Sequence, residues 1–277
     1  MAVDVRKRGW NIQVNSEPTF SIMPIVPILF VDASLAGVQI ALIDAAPGEK
    51  IGRSRLLWHG AHSENMGALS AISRLTQEAL AATSLTMDSL VGLAAATGPG
   101  SFTGIKIGMA FVFGLQAAFA RALPIYPVST LEALALALAL ANQSDAAVFL
   151  PATRTHGFAA VAPAPDSALV PMRSMLVDCE QLAPQLLAQL PAACQIVIVG
   201  DWPLLAAAAA NAGHKVVSLT AAAASRMALD ILADQVAAAW PDGFKVELPE
   251  PRYLRLSTAE ERLQASVSQP NRKESPA

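Results

Sequence analysis

The stretch from Leu90 to Arg121 constrains this chain more than any other. Leu90–Ala96 is a short apolar run that reads as a buried strand, and Gly98, Pro99 and Gly100 then break it. From Ile105 to Arg121 the sequence is apolar, free of proline and too long for a strand, so it reads as a helix with Ser101 or Thr103 as N-cap. A strand, a glycine turn and a helix start in this order point to an α/β fold. Such a loop presents free N–H groups at a helix N-terminus, which suits an anion, or it lets the helix pack closely on its sheet. The spacing fits neither the P-loop, because Lys106 lies two places after Gly104, nor the dinucleotide fingerprint, which wants glycine where Thr103 stands.

The helix after the loop carries small residues four apart, at Gly104 and Gly108 and again at Ala110, Gly114 and Ala118. Such rows let another backbone approach closely. Ile105, Ile107, Met109, Phe111 and Phe113 are interleaved with them, so the helix is apolar all round and is expected to be buried on several sides. The small residues serve either packing inside the domain or a partner's helix.

The length of 277 residues allows one large or two ordinary domains. A formal net charge of −3 leaves no basic footprint for gripping nucleic acid. Cys179 and Cys194 form no CxxC, which argues against a disulfide framework or zinc knuckle and for a reduced cytoplasm. The longest apolar runs, Ile107–Leu115 and Ala133–Ala141, are too short to span a membrane. Residues 1–26 hold the basic cluster Arg6, Lys7 and Arg8 but no apolar segment behind it. They read as a disordered extension rather than a secretory signal, with Met23 a candidate start. From Ser257 the chain is polar and reads as a disordered tail.

Pro27–Val31 reads as a buried strand ending in Asp32 and Ser34, and Val38–Ile43 returns as its hairpin partner. Arg53–Trp58 reads as a third strand. A helix is expected from Ser63 to Ala82, with Met66, Leu69 and Ile72 on its apolar face. His62 then starts that helix; with Gly60 between it and His59 and no cysteine nearby, a metal site is not indicated. Ser129 and Glu132 have the spacing of a capping box, opening a helix through Ala141. A looser second half begins near Asp145. Strands are expected at 146–150, 157–162, 195–199 and 215–219, and helices at 180–190, 204–212 and 227–240.

Gly98-Pro99-Gly100-Ser101-Phe102-Thr103-Gly104-Ile105-Lys106-Ile107-Gly108 resembles the signature of the TsaB (YeaZ) family, in which the usual form has arginine where Thr97 and Lys106 stand. Pro251-Arg252-Tyr253-Leu254-Arg255 resembles that family's Pro-x-Tyr-Leu-Arg ending. The loop after Leu150 departs from the family's Asp-Ala-Arg, with Ala152 in place of the acid and Arg154 retained. The resemblance covers roughly 27–256. It implies an actin-like ATPase (ASKHA, RNase H-like) fold of two subdomains, the first at 27–143 and the second at 144–256, as weakly related structural duplicates.

It also implies a function. TsaB-type chains are non-catalytic subunits of the complex that transfers threonylcarbamoyl to adenosine 37 of tRNA. They support the catalytic paralogue TsaD, with the ATPase TsaE as third partner. Aligned on Val128 and Glu132, the metal-binding histidines of TsaD fall on Thr130 and Leu134, so no catalytic or metal-binding residue is expected here. ATP and metal would be handled by the partner subunits, and tRNA would be reached only indirectly. The expected partner face, for TsaD or a second copy, is His62, Met66, Leu69, Ile72, Gly104, Gly108 and Met109. Asp32, Ser34, Gly98, Gly100 and Ser101 would form a residual phosphate or nucleotide loop. The rival reading is an actin-like ATPase or phosphotransferase acting alone through that loop.

Overall fold

In the computed structural model the described residues are 25–35, 37–46, 55–62 and 67–254. The first half runs β1 (Pro27–Asp32), β2 (Val38–Asp44), β3 (Leu56–His62), α1 (Ala68–Thr83), β4 (Gly92–Ala96), α2 (Phe102–Ala118), β5 (Ile125–Val128) and α3 (Thr130–Asn142). The second runs β6 (Ala146–Pro151), β7 (His156–Ala162), β8 (Met172–Asp178), α4 (Leu182–Gln189), β9 (Gln195–Val199), α5 (Pro203–Asn211), β10 (Val216–Leu219) and α6 (Ala221–Ala239). Each half is built on a five-stranded mixed sheet, in the orders β3-β2-β1-β4-β5 and β8-β7-β6-β9-β10. In both, an antiparallel meander of three strands is followed by two strands parallel to the first. The same topology therefore occurs twice.

Strand alternation assigns the layers. Every residue of β1 is buried, as expected for a strand covered on both faces. Ile28 and Phe30 pack toward α3 and α6, whereas Leu29 and Val31 pack toward α1 and α2. In the second sheet Val148 and Val197 face the same α3–α6 layer, and Phe149 and Ile198 face α4 and α5. The two sheets thus share a central pair of helices, each with a further helix pair outside. No helix among the described residues is long and apolar enough to cross a membrane.

Several boundaries differ from the sequence reading for identifiable reasons. β3 continues through His62, which pairs with Val38, so His62 ends a strand and does not start a helix. Gly60 reads as a turn in sequence, but the structure has it in mid-strand beneath the Trp58 indole, where an added Cβ would lie 2.3 Å from a ring carbon. Met66, Ser63 and Glu64 lie outside the described residues, as do most of the N-terminal extension, the tail and Arg255. α2 begins at Phe102, not Ile105, with Ser101 accepting from the Gly104 N–H. α6 begins at Ala221, six residues before the expected start, because Thr220 caps an alanine run with no apolar period to mark it. β8 lies in a stretch where the sequence predicts no strand.

The chain after α6 returns to the first half. Phe244 stacks with Tyr126 at 5.3 Å and meets Trp240 edge-on at 4.9 Å. Lys245 and Ile125 exchange backbone hydrogen bonds of 2.6 and 3.0 Å, which occupies the open edge of β5. Gln116 on α2 then donates to the Val246 carbonyl at 2.9 Å. The expected second subdomain, 144–256, therefore ends with a segment that packs on the first sheet.

Candidate functional site

The signature loop is built around the end of β1. Gly98 has φ +103, a conformation that favours glycine. A Cβ on Gly100 would lie 2.0 Å from the Ser34 carbonyl oxygen, and one on Gly104 would lie 1.9 Å from that of Ala33. The Ser101 N–H donates to the Ser34 carbonyl at 2.7 Å. The small residues at 104 and 108 thus let α2 press on its own β1, with Val31 and Ala33 against Gly108.

Asp32, the acid of the expected phosphate loop, is engaged by its own chain through both oxygens. One accepts from the Ser34 N–H at 2.7 Å and the other from the Thr130 hydroxyl at 2.6 Å. The carboxylate is buried. The Ser34 hydroxyl beside it is also buried, with no hydrogen-bond partner among the described residues. Leu134, one turn further along α3, is buried in the core between the sheets. Among the described residues no three His, Cys, Asp or Glu side chains come together to hold a metal ion.

Beside the loop lies a cleft of about 780 Å³ between the halves. Ser34, Gly100 and Ser101 line it from the first half, Pro151, Ala152 and Gly200 from the second, and Arg252 and Tyr253 from the C-terminal segment. No carboxylate is among its described lining residues. The two motif stretches, some 150 residues apart in sequence, therefore meet in space. Arg154 is exposed on the loop opposite, and its carbonyl accepts from the Trp202 indole N–H at 2.9 Å, which anchors that loop.

Glu132 has a role that its sequence position does not reveal. Ser129 accepts from the Glu132 N–H at 3.4 Å, but the Glu132 carboxylate does not turn back to complete the capping box. It accepts instead from the Ser174 N–H and hydroxyl, both at 2.9 Å, and from Arg252 at 2.8 Å. Burial pushes this carboxyl up, but the Ser174 donors and the Arg252 charge outweigh it and hold the group below its ordinary value. The only sequence signal was an opposite charge in each of two motif-bearing stretches.

The expected partner-face residues do not share one open surface. Ile72, Gly108 and Met109 are buried in the chain's own packing, and Gly104 is pressed on Ala33. His62 is half-buried with Nδ1 3.4 Å from Arg74, while Leu69 is 57% exposed. The second small row is the open one. Ala110, Gly114 and Ala118 are all exposed, and a Cβ on Gly114 would meet nothing within 4 Å.

Residues 62–162 match the family model for TsaD, tRNA N6-adenosine threonylcarbamoyltransferase. YeaZ from Pseudomonas aeruginosa superposes with a TM-score of 0.59 at 21% identity, covering 83% of this chain and all of that one. A second structure, described as an uncharacterized protein with similarity to peptidase YeaZ from Pseudomonas aeruginosa, gives 0.60 with the same identity and coverage. The chain is YeaZ-like in fold, and its segment 62–162 is similar to the TsaD family model. No curated protein matches it in sequence. The TsaD-family match of this YeaZ-like chain spans the signature loop, α1, α2 and α3, so it contains both Thr130 and Leu134.

Proposed function

We propose that this chain is a TsaB-type, non-catalytic subunit that pairs with and activates the catalytic paralogue TsaD in transferring threonylcarbamoyl to adenosine 37 of tRNA. The observation that carries this reading is the fate of Thr130 and Leu134. Within the TsaD-matching segment, the two positions equated with metal ligands are a hydroxyl bonded to Asp32 and a leucine sealed in the core. Leucine offers no ligand, and threonine is a poor one for a transition metal. A supporting role follows, with ATP and metal handled by TsaD and TsaE, tRNA engaged through the complex, and a cytoplasmic location.

The outer faces of α1 and α2 form the contact surface in this reading. Ala110, Gly114 and Ala118 allow a partner helix to approach closely, and exposed Leu69 adds apolar area. A second copy of the chain would use the same face. The test is light scattering after size exclusion, on the chain alone and mixed with its cognate TsaD. Gly114→Arg is the blocking variant, since its side chain projects into open space and leaves the fold intact. A complex formed by the parent and lost by the variant supports the reading; no complex with TsaD overturns it.

An actin-like ATPase acting alone is the second reading, favoured by the cleft beside the glycine loop. Calorimetric titration with ATP and magnesium separates the two. Tight binding by the isolated chain, lost in Asp32→Ala, would favour the enzyme.

A further inference from the structure

We propose that Pro251–Leu254 is a strap that forms one wall of the cleft and is latched in place by Arg252 and Glu132. Half-buried Leu254 packs on the core between the sheets, and three polar and ring contacts fix the rest of the strap. The Arg252 N–H donates to the Thr97 carbonyl at 2.8 Å, the Arg252 guanidinium pairs with Glu132 at 2.8 Å, and the Tyr253 ring lies 4.5 Å from that of Phe102. Within the strap the backbone hydrogen bonds are local, from Tyr253 N–H to Pro251 and from Leu254 N–H to Arg252. It belongs to no helix or strand, and Tyr253 is 39% exposed. A segment held by side-chain contacts and local turns, with no ladder to a neighbouring strand, opens at lower cost than the sheets beside it.

The latch senses both halves of the molecule. Glu132 stands on α3 of the first half, Ser174 donates to it twice from β8 of the second, and Arg252 comes from the strap. The pair is only about one-third exposed on each side, so its charge-assisted bond is weakly screened. The two Ser174 donors fix the Glu132 carboxylate where Arg252 meets it, so moving β8 away from α3 frees the carboxylate to turn and the pair loses its geometry. Tyr253 then leaves Phe102, the first residue of α2, and the cleft widens toward solvent. Relative motion of the halves is thereby converted into access to the cleft.

Hydrogen exchange read by mass spectrometry on the full chain tests this, comparing the parent with Arg252→Met, Glu132→Gln, their combination and Tyr253→Ala. In Arg252→Met and Glu132→Gln, exchange at 250–254 and at 101–104 should quicken about tenfold or more, while β1, β2, β6 and β9 keep their protection. The combined variant should be no faster than either single one, because both remove the same pair. Tyr253→Ala keeps the latch and should open the strap less. Unchanged exchange at 250–254, or a uniform rise across the sheets, overturns the proposal. So does Tyr253→Ala matching Arg252→Met, since the ring rather than the ion pair would then be the latch.

Discussion

Asp32, the last residue of β1, accepts a hydrogen bond of 2.6 Å from the hydroxyl of Thr130, the first residue of α3. This bond ties the acid of the expected phosphate loop to one of the two positions that the sequence comparison equates with a TsaD metal ligand. Thr130→Val removes the donor and leaves a buried carboxylate oxygen without it. The expected loss is about 1–3 kcal/mol of stability, read by urea unfolding. An unchanged midpoint would mean that Asp32 is not held by this bond.

The two rows of small residues on α2 predict opposite outcomes. Gly104→Ala drives a methyl group against the Ala33 carbonyl, a backbone atom that cannot move aside, and should cost about 1–3 kcal/mol. Gly114→Ala meets open space and should gain up to about 1 kcal/mol from helix propensity. Thermal melts of the two variants check the assignment of rows. Equal destabilisation would contradict it.

Stability should depend on pH through Glu132. Its carboxyl is held below the ordinary value of 4.5, so its contribution is fully present above that value and is lost as pH falls through the lower, folded-state one. Measured by urea unfolding, the gap between the parent and Glu132→Gln should be widest near neutrality and close in acid below the ordinary carboxylate range. A gap that stays constant would show that the charge of Glu132 carries none of the effect.

Thiol reactivity should separate the cysteines from any redox role. Burial pushes the Cys194 thiol up to about 11, with Asp145 adding to the shift, and Cys179 is raised in the same way. In a dithionitrobenzoate assay at pH 8, Cys194 should react only after unfolding. Rapid labelling of Cys194 in the folded chain would contradict this environment.

The strand, glycine turn and helix at 92–118 were legible because each element is punctuated by residues with one physical use: Gly98, Pro99 and Gly100, then Ser101 as cap. What sequence could not reveal was direction. α2 is apolar all round, so its period does not show that Gly108 and Met109 face inward while Gly114 faces solvent. Gly60 looked like a turn because a glycine made necessary by an overlying Trp58 carries the same letter as one made necessary by a bend. β8 leaves no sequence signal because Met172–Asp178 is irregularly buried and lacks clean alternation. Glu132 reads locally as a capping residue, whereas its partners lie 42 and 120 positions away.

We propose that this chain supports TsaD through the outer face of α1 and α2. Light scattering after size exclusion, on mixtures of TsaD with the parent and with Gly114→Arg, tests it most directly. The account predicts a complex with the parent and separate species with the variant, whose circular dichroism matches the parent's. A complex of equal stability with both would contradict the assigned face, and no complex with either would contradict the supporting role itself.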